Sequence, residues 1–258
     1  MKIKAIINPE ARYSAYTKFI ETEFPEFLIE ENPDIYLAYG GDGAMLRAIQ
    51  LEGVSKLPFL GKALGTLNFL MNEITEDREF FIKLKSSGIK LDYIEFKTIS
   101  VSREIEEKSE LLGVAINDVV IGNNLNDYHE FFLNTLDNTF SDFPISGTGI
   151  CISTTLGSTA YNFNNGGMIL PLDSKLWSVT GIVCNRHLND ILPEQKLTIR
   201  LGKIKNMATV YVDGIEKNIN FIVGTKLVLK PAGTITIAFV SSDKFIAKRL
   251  EIAHRFRK

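Results

Sequence analysis

Apolar residues in the first ninety positions alternate between short continuous runs and stretches with helical spacing. Short runs predict buried strands, and apolar residues three and four positions apart predict amphipathic helices. The predicted strands are Lys2–Asn8, Asp34–Tyr39 and Leu57–Leu60, and the predicted helices are Tyr13–Phe24, Ala44–Leu51 and Asp77–Ser86. Because such alternation is typical of a parallel sheet covered by helices, the pattern predicts at least three βα units and an α/β domain over residues 1–92.

From about Leu91 the pattern changes to β-branched and aromatic runs separated by polar turns, which predict strands. The predicted strands are Thr98–Ile105, Leu111–Ile121, His129–Leu136, Gly149–Ser153, Leu197–Leu201, Ala208–Val212, Ile215–Ile222, Thr225–Leu229 and Thr234–Val240. The pair Asp213-Gly214 between two of these runs predicts a hairpin turn. Residues 93–240 are therefore predicted to form a mostly β domain.

The final segment, residues 241–258, carries Phe245, Leu250, Ile252 and Phe256 among lysines and arginines. This mixture fits either a short helix or an extended arm. We expect the segment to pack back on the α/β domain.

Composition narrows the classes of function. The chain has 258 residues, of which 45% are hydrophobic, so it can bury a core in one large or two modest domains. Its formal net charge of -2 provides no broad basic surface for nucleic acid. No apolar stretch approaches the ~20 residues of a membrane-spanning helix. We therefore expect neither nucleic acid nor a membrane as a partner, and anionic ligands should be held by local geometry.

The cysteines and histidines suggest a reducing compartment without a structural metal. Only Cys151 and Cys184 could pair, and nothing before Pro9 has the length of a secretory apolar region, so a cytoplasmic protein with reduced thiols is expected. The three histidines are scattered without partners at metal-ligand spacing.

The sharpest local motif is Gly40-Gly41-Asp42-Gly43, directly after the strand DIYLAY and before the helix AMLRAIQL. Glycines let a phosphate approach the backbone, and the N–H groups and partial positive charge of a helix N-terminus attract it. A carboxylate beside phosphates repels them unless it binds a metal or takes a proton, so Asp42 favours phosphoryl transfer. The alternative is an aspartate that only caps the helix.

Two further segments accompany this motif. The predicted strand Gly149–Ser153 runs into the hydroxyl-rich sequence TTLGSTAY, whose Tyr161 offers a flat face for stacking on adenine. The alternative is a capped helix start. In the β region, Asn117-Asp118 follows the apolar run LLGVAI, where unpaired burial would cost roughly 2–7 kcal/mol. A sugar diol or a purine edge would satisfy the pair, and so would a structural turn.

Taken in order, GGDG, the Asn-acidic pair, the GSTAY loop followed by Gly166-Gly167, and the late VDG resemble the motif set of the NAD kinases over roughly Asp34 to Gly214. GGDG alone also occurs in lipid kinases of the diacylglycerol type and in phosphofructokinases. The resemblance implies a two-domain fold and transfer of a phosphoryl group from ATP, another nucleotide or polyphosphate to the adenosine-ribose 2′-hydroxyl of NAD. It also implies Mg²⁺ carried with the nucleotide and a homodimer or homotetramer.

The resemblance also implies roles for individual residues. Asp42 would be the general base, Gly41 and Gly43 would admit the phosphates, and Arg47 would face them or remain solvated. Asn117 and Asp118 would hold the adenosine ribose and base. Further pocket positions are Phe69, Thr148, Thr159, Ala160, Tyr161 and Asn164. For Phe69 the alternative is a core residue.

The chain departs from the family pattern at several of these motifs. Thr148 replaces an aspartate expected near the nicotinamide half, Leu156 replaces a proline, and Asn68 replaces the glycine of an LGFL-like loop. Ala44 replaces a threonine after GGDG. Affinity or substrate choice can differ at these positions. Two alternatives to NAD kinase remain open: a lipid or sugar kinase that shares only the GGDG turn, and a non-catalytic NAD-sensing module.

Overall fold

The computed structural model describes residues 1–53, 56–65, 68–106, 108–122, 127–202, 208–223 and 225–255. The chain divides into two compact units. Unit 1 comprises Met1–Glu95 and Ile235–Lys258, and unit 2 comprises Phe96–Thr234. The sequence-based domain boundaries were drawn after residues 92 and 240. Phe256 of the predicted tail lies outside the described residues.

The helices and strands have the following bounds. The helices are α1 Ser14–Glu23, α2 Glu26–Ile29, α3 Asp42–Glu52, α4 Asp77–Lys85, α5 Tyr161–Asn164 and α6 Ser242–Arg255. The strands are β1 Ile3–Ala5, β2 Ile35–Gly40, β3 Phe59–Ala63, β4 Asp92–Ile105, β5 Lys108–Ala115, β6 Asp118–Gly122, β7 His129–Thr135, β8 Phe143–Ser153, β9 Leu176–Cys184, β10 Asn189–Pro193, β11 Leu197–Leu201, β12 Ala208–Val212, β13 Ile215–Phe221 and β14 Lys226–Phe239. Within these described elements, no helix combines the length and apolar character needed to cross a bilayer.

Unit 1 contains the parallel sheet that the alternating pattern predicts. β2 pairs in parallel with β1 and with β3, and the last residues of β14 pair in parallel with β3. Every residue of β2 is buried, as expected for a strand covered on both faces. Asn72 holds the β14 edge, because its amide donates to the carbonyl of Ala238 at 3.0 Å and accepts from the N–H of Val240 at 2.7 Å. The aromatic part of its core includes Phe24, Phe27 and Phe81.

Unit 2 is built from antiparallel pairs. β8 pairs with β6, β7 and β9, while β7 pairs with β11 and β6 pairs with β12. Buried residues alternate with half-exposed ones along β7, β11 and β12, which is the pattern of strands with one face on a core. The core includes Phe131, Ile150 and Trp177. The predicted class, an α/β region followed by a mostly β region, is therefore confirmed.

Three local expectations need correction or completion. The run Leu111–Ile121 is not one strand, because β5 ends at Ala115 and β6 begins at Asp118. The runs Thr225–Leu229 and Thr234–Val240 are parts of the single strand β14. The tail forms the helix α6, which was one of its two predicted forms.

Candidate functional site

The GGDG motif forms the turn between β2 and α3 in unit 1. Gly40 has a φ of 135°, and a Cβ there would lie 2.9 Å from the Cβ of Ala44 and from the Nδ2 of Asn8, so only glycine fits. By contrast, a Cβ on Gly41 would meet only the Oδ1 of Asn68 at 3.8 Å, and a Cβ on Gly43 would meet nothing within 4 Å. The backbone at Gly41 and Gly43 is therefore open to a ligand, as the phosphate hypothesis requires.

The N-terminus of α3 has no side-chain cap. Gly41 occupies the N-cap position, so the first helical N–H groups receive no capping bond from it. Asp42 is the first helical residue, and its carboxylate bonds to the chain at Phe69 and Leu70. The interpretation of Asp42 as a simple helix cap does not describe this arrangement.

The Asp42 carboxylate is fixed by two backbone donors. The N–H of Phe69 lies 2.9 Å from both carboxylate oxygens, and the N–H of Leu70 lies 2.8 Å from Oδ1. Burial raises the pKa of Asp42 above its ordinary value, while these N–H groups and the charge of Lys248 act in the opposite direction. The result is an oriented carboxylate with a strengthened affinity for a proton.

Two other predicted residues of unit 1 lie near this turn in sequence or through a bond. Phe69 is half-buried, and its ring lines a cavity of about 50 Å³ together with Phe239, Phe245 and Lys248. Arg47 lies on α3 and forms a long ion pair, 3.6 Å, with the exposed side of Glu10. Leu67, part of the loop compared with LGFL, lies outside the described residues.

The Asn117-Asp118 pair in unit 2 is anchored by the carboxylate of Asp213. Oδ1 of Asp213 accepts the N–H groups of Asn117 at 2.7 Å and of Asp118 at 3.1 Å, and Oδ2 accepts that of Ile116 at 2.9 Å. Asp213 itself has a φ of 50° and is followed by Gly214 at 74°, which confirms the hairpin turn. The hairpin therefore fixes a backbone segment almost a hundred residues earlier in the chain.

Asp118 is a buried carboxylate at the first position of β6. Its side chain is 6% exposed, and no donor in the described part of the chain bonds to its carboxylate oxygens. Burial, with a smaller contribution from the charge of Asp213, raises the pKa of Asp118 to about 7. A ligand hydroxyl would supply the donor that this carboxylate lacks.

The GSTAY loop packs directly on Asn117. The carbonyl of Asn117 accepts the N–H of Thr154 at 2.9 Å and the hydroxyl of Ser153 at 3.2 Å. A Cβ on Gly157 would lie 2.1 Å from that same carbonyl oxygen, so the loop reaches this position only with glycine. Ser158 is fully buried, and its hydroxyl accepts the N–H of Leu170 at 3.0 Å.

The remaining predicted residues of unit 2 differ in accessibility. Tyr161 packs on Val120 and Cys151, and burial together with the nearby thiol and Asp118 raises the pKa of its hydroxyl. Thr159 and Ala160 are half-buried, and Asn164 is exposed.

The hydroxyl of Thr148 is already engaged within the sheet, because it donates to the carbonyl of Ile182 at 3.0 Å. Thr148 is also buried, with 4% exposure. Its hydroxyl therefore does not stand in for the side chain that the family pattern leads us to expect there.

The sequence analysis missed the roles of Asp213, Asn68 and Lys248. Asp213 was identified only as a turn residue, and the contacts that make it an anchor are remote in sequence. Lys248 donates to the main-chain carbonyl of Asn68 at 3.3 Å and pairs with Glu73 at 2.8 Å. Its position in a basic amphipathic tail carried no indication of this contact.

The described residues contain no group of three or more His, Cys, Asp or Glu side chains that could hold a metal ion. Both oxygens of Asp42 already accept backbone N–H groups. The protein side chains thus do not build a metal centre around this carboxylate, and no chemical step is assigned below to a protein-bound metal.

Replacing Asp213 by asparagine should lower the stability of unit 2 by about 1–2 kcal/mol, because charge-assisted bonds to three backbone N–H groups weaken. Thermal unfolding at pH 5 measures this effect best, since Asp118 is then protonated and its repulsion by Asp213 is absent. Asp190→Asn, an exposed aspartate on β10, is the matched control. Equal unfolding temperatures for the two variants would contradict the anchoring role.

Replacing Asp118 by asparagine should stabilise the protein at pH 8 and change it little at pH 5. The folded-state pKa of about 7 lies above the ordinary value of 3.8, so the folded state holds the proton more strongly and stability falls as pH rises from about 4 to 7. Removing the ionisable group should recover on the order of 1–3 kcal/mol above pH 7. A pH series of unfolding temperatures checks this, and a difference independent of pH would refute it.

Comparison with known proteins places these two sets of residues in context. No protein-family model matches the chain. The NAD kinase of Rickettsia felis is 30% identical over 182 residues, which are 70% of this chain and 68% of that protein. The NAD kinase of Clostridium perfringens strain 13 is 29% identical over 219 residues, covering 82% and 75% of the two chains.

The match to some relatives is shorter. The NAD kinase of Sulfurimonas denitrificans is 29% identical over 185 residues, which are 70% of this chain but only 63% of that protein. The matched part therefore spans less than two thirds of that relative's length.

Two solved structures share the fold. The yeast NADH kinase complexed with NADH superposes with a TM-score of 0.79 at 19% identity, covering 99% of this chain and 88% of the other. An NAD kinase from Archaeoglobus fulgidus in complex with ATP gives a TM-score of 0.70 at 17% identity, covering 98% and 99%. At these identities the likeness establishes the two-part architecture that the motif resemblance implied.

Proposed function

Because the chain belongs to the NAD kinase family, we propose that it transfers a phosphoryl group from ATP to the adenosine-ribose 2′-hydroxyl of NAD and so produces NADP. The observation that supports this activity most directly is Asp42. Its carboxylate is oriented by two backbone N–H groups at the N-terminus of α3, beside backbone that is open at Gly41 and Gly43. A passive binding site for an anion would have no use for a carboxylate at this position.

In the proposed reaction Asp42 is the general base. Oδ1 accepts two backbone N–H groups and Oδ2 accepts one, so Oδ2 keeps capacity for the hydroxyl of the ribose. As the 2′-oxygen forms its bond to the γ-phosphorus of ATP, the bond from that phosphorus to the bridging oxygen breaks, ADP leaves and the proton passes to Asp42. The raised pKa of Asp42 favours this proton transfer.

The donor phosphates are proposed to bind at the glycine turn. The backbone at Gly41 and Gly43 is accessible, and the partial positive charge of the α3 N-terminus favours an anion. Arg47 can contribute charge, since its exposed ion pair with Glu10 is weak enough to exchange for a phosphate. Mg²⁺ is proposed only as the counter-ion of the nucleotide substrate.

Unit 2 is proposed to bind the adenosine of NAD. Asn117 and Asp118 would hold the ribose and base, because the buried Asp118 carboxylate needs a donor such as a sugar hydroxyl. The other proposed lining positions are Thr148, Thr159, Ala160, Tyr161 and Asn164, together with Phe69 of unit 1. Thr148 would take part without its hydroxyl, which is used by Ile182.

We also propose, on the family resemblance, a cytoplasmic homodimer or homotetramer. Sedimentation of the purified protein at micromolar concentration tests the assembly, and a monomer there would contradict it. The predicted division into domains at residues 92 and 240 enters the proposal as the boundary between the phosphate-binding and adenosine-binding parts.

One assay tests the proposed activity. The purified chain is incubated with NAD or NADH, each phosphoryl donor in turn and Mg²⁺, and the NADP formed is measured with a coupled dehydrogenase. NADH is included because one solved structure of this fold is an NADH kinase. NADP formation from NAD and ATP is expected. Calorimetric binding of NAD without any phosphorylated product would instead favour the non-catalytic sensor.

A further inference from the structure

Asn68 presents a buried acceptor without a donor. Its side chain is 4% exposed, its Nδ2 donates to the carbonyl of Gly65, and its Oδ1 has no hydrogen-bond partner in the described part of the chain. A Cβ on Gly41 would find this Oδ1 as its nearest neighbour, at 3.8 Å. The amide oxygen is therefore directed at the open side of the glycine turn.

The bond to Gly65 fixes which end of the amide faces the turn. Since the NH₂ group is engaged, the oxygen is left as an acceptor, and burial of an acceptor without a partner is unfavourable. Phosphate oxygens are acceptors too and would be repelled by it. The chemical complement of this oxygen is a hydroxyl or another N–H or O–H donor.

Asn68 belongs to the same segment that orients Asp42. It directly precedes Phe69 and Leu70, whose N–H groups bind the Asp42 carboxylate, and its own carbonyl accepts a bond from Lys248. The acceptor of Asn68 and the base Asp42 are thereby held in one short stretch of backbone. Two acceptors in fixed relation match a ligand with two neighbouring hydroxyls.

We propose that the Oδ1 of Asn68 accepts a hydrogen bond from the 3′-hydroxyl of the acceptor ribose, next to the 2′-hydroxyl that reacts at Asp42. This assignment rests on the proposed function. It makes Asn68 a specificity-determining residue that selects an intact diol. A glycine, which the family pattern has here, could not provide this contact through a side chain.

The test compares NAD with its analogue lacking the adenosine 3′-hydroxyl, for the natural chain and for Asn68→Ala and Asn68→Gly. The natural chain should prefer NAD about tenfold in kcat/KM, and both variants should lose about tenfold with NAD but nothing with the analogue. The KM for ATP should stay unchanged. Asn32→Ala, an exposed asparagine of unit 1, should keep the preference for NAD.

The outcomes separate this inference from the proposed function. Absence of NADP formation by the natural chain would refute the proposed function itself. NADP formation with an undiminished preference for NAD in both variants would refute only the role of Asn68, and would leave its oxygen bound to water. Asn68→Gly is included because glycine occupies this position in the family pattern, so it keeps the test valid if the alanine variant does not fold.

Discussion

Asp42→Asn is expected to reduce turnover of NAD to NADP by about 10²–10⁴-fold, the usual loss for a positioned general base. The amide is nearly the same size as the carboxylate and keeps one oxygen for the N–H groups of Phe69 and Leu70, so the fold should survive. What disappears is the group that takes the proton. The loss should therefore fall on kcat more than on the KM for NAD.

The matched control for this change is Asp34→Asn. Asp34 lies in the same unit, is exposed, and also accepts a backbone N–H, from Lys2 at 2.7 Å. Its conversion should leave NADP formation within about twofold, since a surface change of this kind rarely alters more than local stability. Circular dichroism and thermal unfolding of both variants verify the fold. Wild-type turnover by Asp42→Asn would remove Asp42 from the role of base.

Gly157→Ala is expected to be the most damaging substitution in unit 2. The added Cβ would stand 2.1 Å from the carbonyl oxygen of Asn117 and 2.5 Å from its Cα, and these are backbone atoms that no rotamer change can move. Overpacking of this kind costs typically 1–3 kcal/mol, and the upper end applies to a backbone clash. Displacement of the loop by about 1 Å should also lower kcat/KM for NAD by about 10²-fold.

Gly43→Ala is the control for the stability part of this prediction. A Cβ on Gly43 would meet nothing within 4 Å, so alanine should leave the unfolding temperature unchanged or raise it. Differential scanning calorimetry compares the two variants, and NAD titration reports binding. If Gly157→Ala unfolded at the wild-type temperature and bound NAD normally, the close packing of the loop on Asn117 would be wrong.

The first half of the architecture follows from local sequence. The apolar run before GGDG and the glycines after it predicted β2 and α3 to within two residues, because a fully buried strand and a glycine turn both leave strong local patterns. β9 was missed, since its buried Ser178 and Thr180 interrupt the apolar run that would have revealed it. Its neighbour β10, only five residues long, was missed as well.

The candidate site divides in the same way. The glycines and Asp42 could be chosen from the chemistry of a phosphate turn, and their roles remain predictions. The break between β5 and β6 could not, because it depends on Asp213, 96 positions away from the N–H of Asn117 that it accepts. Asn68 was noticed only as a departure from a motif. Its unsatisfied oxygen becomes visible when the partners of its NH₂ group are known.

The two-segment construction of unit 1 has a consequence for the order in which the protein matures. On the ribosome, Asp42 and its turn emerge early, whereas the last residues of β14, the Asn72 contacts with Ala238 and Val240, and Lys248 come only after all of unit 2 has been translated. Domains tend to fold as units once their residues are available. A nascent chain can thus complete its antiparallel part while the part that carries Asp42 is still waiting for its final strand and helix.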